Sequence, residues 1–130
     1  MPNYMLLLYA PEADPAEQAE REAELPLWRE LNESLQEAGL LVAAGRLHPV
    51  TAATTVRVRE GETELTDGPF AVTKEILGGY YVLECRDLDE ALREAARIPL
   101  ARYRGGSVEV RPIMATSELE ALHEAAAERA

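Results

Sequence analysis

The residues best suited to chemistry gather at one junction, Leu65-Thr66-Asp67-Gly68-Pro69-Phe70-Ala71-Val72-Thr73-Lys74-Glu75, which sets an acid, a tight turn and a Lys-Glu pair between a polar hairpin and an apolar strand. Asp67 can serve as a general base if the fold brings a reacting carbon or hydroxyl within hydrogen-bond reach. Equally, its carboxylate can satisfy backbone donors in an Asx turn ahead of Pro69. Lys74 can stabilise a carboxylate or enolate oxygen while Glu75 accepts a proton, or the two can be an ordinary surface pair. On an extended segment they alternate sides, so only one of them points inward. A second group lies near Gly45-Arg46-Leu47-His48-Pro49. There His48 offers a titrating imidazole and Arg46 a guanidinium fork for an acidic ligand, the alternative for both being a solvent-facing rim. The expected catalytic residues are therefore Asp67 and His48. The expected ligand-binding residues are Arg46, Lys74, Glu75 and Tyr81.

Other chemistries find less support. Two separated histidines and scattered acids give no zinc spacing and no EF-hand loop, so no metal is expected. Gly78-Gly79 is too short for a phosphate-cradling or dinucleotide loop, and no cofactor is expected. Cys85 is the single cysteine; it can form no intrachain disulfide and reads as a small buried side chain. A formal charge of −11, from 24 acids against 13 Lys and Arg, disfavours duplex nucleic acid and anionic membranes. It leaves room for a small basic pocket and an anionic ligand. The opening Met1-Pro2-Asn3-Tyr4-Met5-Leu6-Leu7-Leu8-Tyr9 has neither a basic leader nor the length to cross a bilayer, so a cytoplasmic location is expected.

The elements that must position these residues follow from patterning. Residues 3–10 read as a buried strand, after which Asp14, Pro15 and Glu17 form a helix start with a capping box. Nine acids between Glu12 and Glu37 face only Arg21 and Arg29, the pattern of a solvated helical face. Leu27, Leu31 and Leu35 supply an apolar stripe, Pro26 marks a break or kink, and Gly39 ends the helix. A strand over 41–47 leads to a hairpin of 54–59 and 62–66 around Glu60-Gly61. The strand 80–85 precedes a helix over 88–98, capped by Asp87 with Glu90 completing the box and with Leu88, Ala91, Leu92 and Ala95 inward. A last strand covers 107–113, and Ser117 with Glu120 opens a C-terminal helix. One domain over residues 1–115 is expected, with 116–130 as its helical extension.

This order, β-α-β-hairpin-β-α-β-α, predicts an α+β fold: a ferredoxin-like sheet with two helices on one face, an inserted β-hairpin and a C-terminal helix. The bare face of such a sheet would expose Leu, Val and Tyr side chains at about 25 cal/mol per Å². A second copy of the chain is the economical cover. Tyr80 and Tyr81 point to opposite faces; one packs under the helices, and the other faces the intersubunit cavity, where Tyr81 is expected to orient a ligand.

Several segments resemble the DGPF branch of the YCII-related family. These are Tyr4-Met5-Leu6-Leu7-Leu8-Tyr9, Ala38-Gly39-Leu40-Leu41, Thr54-Thr55-Val56-Arg57-Val58, and Thr66-Asp67-Gly68-Pro69-Phe70 running through Thr73-Lys74-Glu75 into Gly78-Gly79-Tyr80-Tyr81. The closing strand Gly106-Ser107-Val108-Glu109-Val110-Arg111-Pro112 completes the set. The resemblance implies a dimeric α/β barrel with two sheets face to face and a pocket near the sheet surface. The simpler branch of that family is associated with a histidine on the first helix and an aspartate near its end. Those places fall on Trp28 and Glu37 here, and tryptophan cannot act as a base. The resemblance leaves two expected functions. One is a small-molecule-binding protein, in its enzymatic form a cofactor-independent proton-transfer catalyst acting on a polar or carboxylate-bearing metabolite. The other is a noncatalytic dimeric interaction or regulatory protein near an extracytoplasmic-function sigma factor system. In both the chain pairs with itself as a homodimer.

Overall fold

In the computed structural model, which describes residues 1–71 and 73–130, six strands and four α-helices follow the chain. They are β1 (Asn3–Ala10), α1 (Pro15–Ala23), α2 (Leu25–Glu37), β2 (Leu41–Arg46), β3 (Thr54–Arg59), β4 (Glu62–Asp67), β5 (Ile76–Glu84), α3 (Leu88–Ala95), β6 (Ser107–Pro112) and α4 (Thr116–Arg129). The main sheet is antiparallel with the order β2-β5-β1-β6, the ferredoxin-like arrangement. Strict alternation along β1 directs Tyr4, Leu6, Leu8 and Ala10 to one face, where each is buried. On β5 the same face receives Gly79, Tyr81 and Leu83. Leu31 and Leu35 of α2, Ala91 and Ala95 of α3, and Ile98 and Leu100 just beyond α3 close over them as one core.

Local chemistry sets the helix limits. Asp14 accepts from the Glu17 amide at 2.7 Å and Glu17 reciprocates toward Asp14, so the capping box forms with Pro15 in the first turn. The break between α1 and α2 falls at Glu24, two residues before Pro26, because a proline inside the first turn gives up no helical hydrogen bond. Gly39, at φ 73°, takes the left-handed turn that ends α2. At α3 only half of the expected box appears. Asp87 accepts from the Glu90 amide, but Glu90 reaches past it to the Arg86 amide and guanidinium. Helix α3 is also shorter than the pattern suggests, passing at Ile98 into a 3₁₀ turn at Pro99–Arg102, and its Leu88 and Leu92 remain exposed. Helix α4 starts at Thr116, with Glu118 accepting from the Ala115 amide; neither Ser117 nor Glu120 caps it, and none of its residues is buried.

The hairpin β3–β4 forms its own two-stranded sheet. It leaves the main sheet as an arm whose one face carries Val56, Val58 and Leu65, which are 60%, 67% and 69% exposed. The main sheet of the single chain is likewise open, with β2 and β6 at its edges and Met5, Leu7, Tyr9, Tyr80 and Val82 half-buried on the face away from the helices. Among the described residues no helix is long and apolar enough to cross a membrane.

Candidate functional site

An open cleft of about 1140 Å³ lies between α1 and α2 on one side and the helix-covered face of β1, β2 and β5 on the other. Its origin is a gradient of side-chain size along that face. Toward one end the sheet carries Tyr4, Leu6 and Leu83, which fill the space beneath the helices. Toward the other it offers Ala10, Ala44 and Gly79, which do not. Side chains this small leave a gap that close packing would otherwise remove. Gly79 is also required by its neighbour, since a Cβ there would lie 2.8 Å from the Gly45 carbonyl oxygen.

Arg46, His48 and Tyr81 all line this cleft. Arg46 ends β2, and His48 follows it into the loop; both are exposed at the rim. Tyr81 lies deeper, 4% exposed, and its position corrects the expected geometry. Alternation on β5 places Tyr81 under the helices and Tyr80 on the uncovered face, so the Tyr81 hydroxyl does not face an intersubunit cavity. It donates to Asn32 Oδ1 of α2 at 2.5 Å. Burial pushes its phenol above the ordinary tyrosine value.

Asp67, Lys74 and Glu75 stand apart from the cleft. Asp67 ends β4 opposite Thr54, is exposed, and its carboxylate accepts no hydrogen bond from the described residues, so the Asx turn does not form. The turn is held from the base of the arm instead. The Gly68 amide donates to Ala53 O at 2.7 Å, and Thr55 Oγ1 donates to Gly68 O at 2.8 Å. Lys74 and Glu75 are exposed, and among the described residues Thr73 Oγ1 donates to Glu75 O within their segment. Val72, inside the same run, lies outside the described residues.

The cleft also contains residues that spacing did not single out. Trp28, Asn32 and Gln36 recur every four residues on α2 beside the buried Leu31 and Leu35, and all three face the cleft. That second stripe was available in the sequence but masked by the leucines, whose own first member, Leu27, is exposed. Trp28 Nε1 donates to Tyr103 Oη at 3.3 Å, and the Arg21 guanidinium stacks 4.8 Å from the Tyr103 ring centre while donating to Pro11 O. Tyr103 arrives from the loop after the 3₁₀ turn and has no local pattern to announce it. Among the described residues no three His, Cys, Asp or Glu side chains converge as metal ligands. Cys85 lies fully buried away from the cleft, its thiol pushed up first by burial and then by Glu90, Glu94 and Asp87.

This chain matches the YCII-related domain over residues 3–117. It belongs to the YCII-related domain family. The matched span takes in the whole main sheet, α1 to α3 and the arm. An uncharacterised protein of Rhizobium meliloti (strain 1021) is 52% identical over 77 residues, a stretch covering 59% of this YCII-related chain and 62% of the length of that relative. The alignment therefore leaves more than a third of the relative unmatched.

Proposed function

We propose that this YCII-related protein, a member of the DGPF branch by its Thr66-Asp67-Gly68-Pro69-Phe70 motif, binds a small polar or carboxylate-bearing metabolite in the cleft and moves a proton on it without a cofactor. The observation that carries this reading is the joint presence of Arg46, His48 and Tyr81 along one cleft. Arg46 supplies the charged fork for the substrate carboxylate or for a developing enolate oxygen. The neutral imidazole of His48 takes the proton from the substrate and returns it, so no net proton is consumed. Tyr81, fixed by Asn32, bounds the floor and orients the ligand. Asp67, Lys74 and Glu75 hold no place in this scheme within one chain; they belong to the arm and its return to β5.

The working unit in this reading is a cytoplasmic homodimer whose bare sheet faces pack together as a two-sheet barrel, covering Met5, Leu7, Tyr9, Tyr80 and Val82. A second reading, a regulatory protein that docks a protein partner of a sigma-factor system, is favoured by the exposed apolar stripe Val56-Val58-Leu65 on the arm.

A high-resolution crystal structure of untreated protein tests the first reading. Ligand density within hydrogen-bond reach of Arg46 and His48 is the expected result. A closed, dry cleft in the crystal, together with no bound metabolite in an organic extract of the purified protein, overturns it.

A further inference from the structure

The cleft is unlike the rest of the chain in two respects. Of seven aromatic residues in the whole sequence, three line it from different elements: Trp28 from α2, Tyr81 from the helix-covered face of β5 and Tyr103 from the loop after the 3₁₀ turn. Aromatic side chains make up 5% of the chain, so their convergence on one concavity is a property of the site and not of the composition. The second respect is charge. The cleft is lined by Arg21, Arg29 and Arg46, and none of the three has a carboxylate within ion-pair distance among the described residues. Elsewhere Arg59, Arg86, Arg97 and Arg104 are each paired to a glutamate, whereas Arg57, Arg93, Arg102, Arg111 and Arg129 have no such pair among the described residues, so what sets the cleft apart is the gathering of guanidiniums along it. In a chain with 24 acids against 13 basic residues, a cleft lined by three guanidiniums against the two carboxylates of Glu12 and Glu33 carries a small net positive balance inside an acidic molecule.

The aromatic groups are also held in place. Trp28 is tied to Tyr103 through its indole N–H, Tyr103 carries the Arg21 guanidinium on its ring, and Tyr81 is tied to Asn32. Trp28, fixed by its polar edge, keeps its faces for something else, and Tyr103, with Arg21 over one face, keeps the other. Flat apolar surface beside unpaired guanidiniums is complementary to a flat ring bearing a negative charge.

Resting on the small-molecule reading given above, we propose that the ligand of this cleft is a planar aromatic carboxylate. Its ring lies against Trp28 and Tyr103, and its carboxylate meets Arg46 at the rim. Glu12 and Glu33, which also line the cleft, repel a second negative charge, so a monocarboxylate is preferred to a dicarboxylate.

The test uses three probes of similar size: 4-hydroxybenzoate, which has ring and charge; cyclohexanecarboxylate, which has the charge without a π face; and phenol, which has the ring without the charge. Isothermal titration calorimetry of the protein gives the affinities. Because Trp28 is the only tryptophan, its fluorescence reports whether a probe enters this cleft. The expected result is that 4-hydroxybenzoate binds at least tenfold more tightly than either other probe and perturbs the Trp28 emission. Arg46→Met removes that advantage over phenol, while circular dichroism shows the variant folded. Equal or tighter binding of cyclohexanecarboxylate overturns the aromatic assignment and leaves the carboxylate-metabolite reading standing. Binding of 4-hydroxybenzoate without any change at Trp28, or unaffected by Arg46→Met, overturns the placement. Absence of heat and of any fluorescence change with all three probes overturns the proposal and the small-molecule reading together.

Discussion

The Tyr81 hydroxyl gives its proton to Asn32 Oδ1, linking the floor of the cleft on β5 to its wall on α2. Removing it leaves a part-buried amide oxygen without its donor, and a lost bond of this kind costs about 1 kcal/mol. Tyr81→Phe is therefore expected to lower the unfolding free energy by about that amount in urea titrations, with little change in far-ultraviolet circular dichroism. Its raised phenol value has a pH signature. The stabilisation is fully present below the ordinary tyrosine value and is lost as pH climbs through the folded value, so stability should fall more steeply in strong alkali for the native protein than for Tyr81→Phe. Glu17 has the opposite signature. Its two bonds from Arg104 and its place in the Asp14 capping box lower its carboxyl from 4.5 to about 2. The corresponding stability is present above pH 4.5 and is lost as pH falls toward 2. Because both side chains meet solvent, salt should weaken the effect. Thermal melts across that acid range should show a shallower decline for Arg104→Met than for the native protein.

At the scale of elements, what holds the cleft open is the placement of small residues on strands that elsewhere carry large ones. Gly79→Ala would drive a methyl group to 2.8 Å from the Gly45 carbonyl, a backbone atom that cannot swing aside. Overpacking of this kind costs about 1–3 kcal/mol. The expected outcome is a folded but destabilised protein whose cleft binds 4-hydroxybenzoate more weakly, measured by chemical unfolding and calorimetry on the same sample. Much of the scaffold around this gap was legible in the sequence. The β1 alternation, the Asp14-Pro15-Glu17 start of α1 and the β3–β4 hairpin are local patterns, and local patterns survive folding. The start of β5 was less so. Its first residues, Ile76 to Gly79, sit in the sheet because β1 pairs along them and β2 reaches Gly79, and the glycine pair there reads as a turn when taken alone. The wall of the cleft was legible only in part for the same reason. Arg46 and His48 announce themselves by type, whereas Tyr103 reaches Trp28 across 75 residues of chain, and no window along the sequence contains both. Asp67 announces itself by type as well, but it ends β4 on the arm and lies outside the cleft lining.

For the whole molecule the open question of covering surfaces reduces to one face and one arm. The half-buried Met5, Leu7, Tyr9, Tyr80 and Val82 lie side by side on the face away from the helices. An uncovered apolar face of this kind is the surface that the proposed homodimer would bury about a twofold axis. If that face is the dimer contact, Leu7→Glu should convert a dimer to a folded monomer in sedimentation velocity, since the substitution places a charge in the contact and leaves the core beneath the helices untouched. A native protein that sediments as a monomer would remove the two-sheet barrel from consideration. The borders of the sheet bear on the same matter. At one border, β2 is irregular between Leu41 and Ala43, so its pairing register breaks partway along; at the other, β6 ends in Arg111-Pro112, a cation followed by a residue with no amide hydrogen to offer. The arm follows the same rule, its strands carrying Arg57, Arg59, Glu62 and Glu64 on one side. Such rims are poor templates for another chain to extend by strand addition. The molecule can thus display sticky aliphatic surface while resisting growth into fibrils, and pairing through the bare face, as in the proposed homodimer, would be steered toward a closed assembly of defined size.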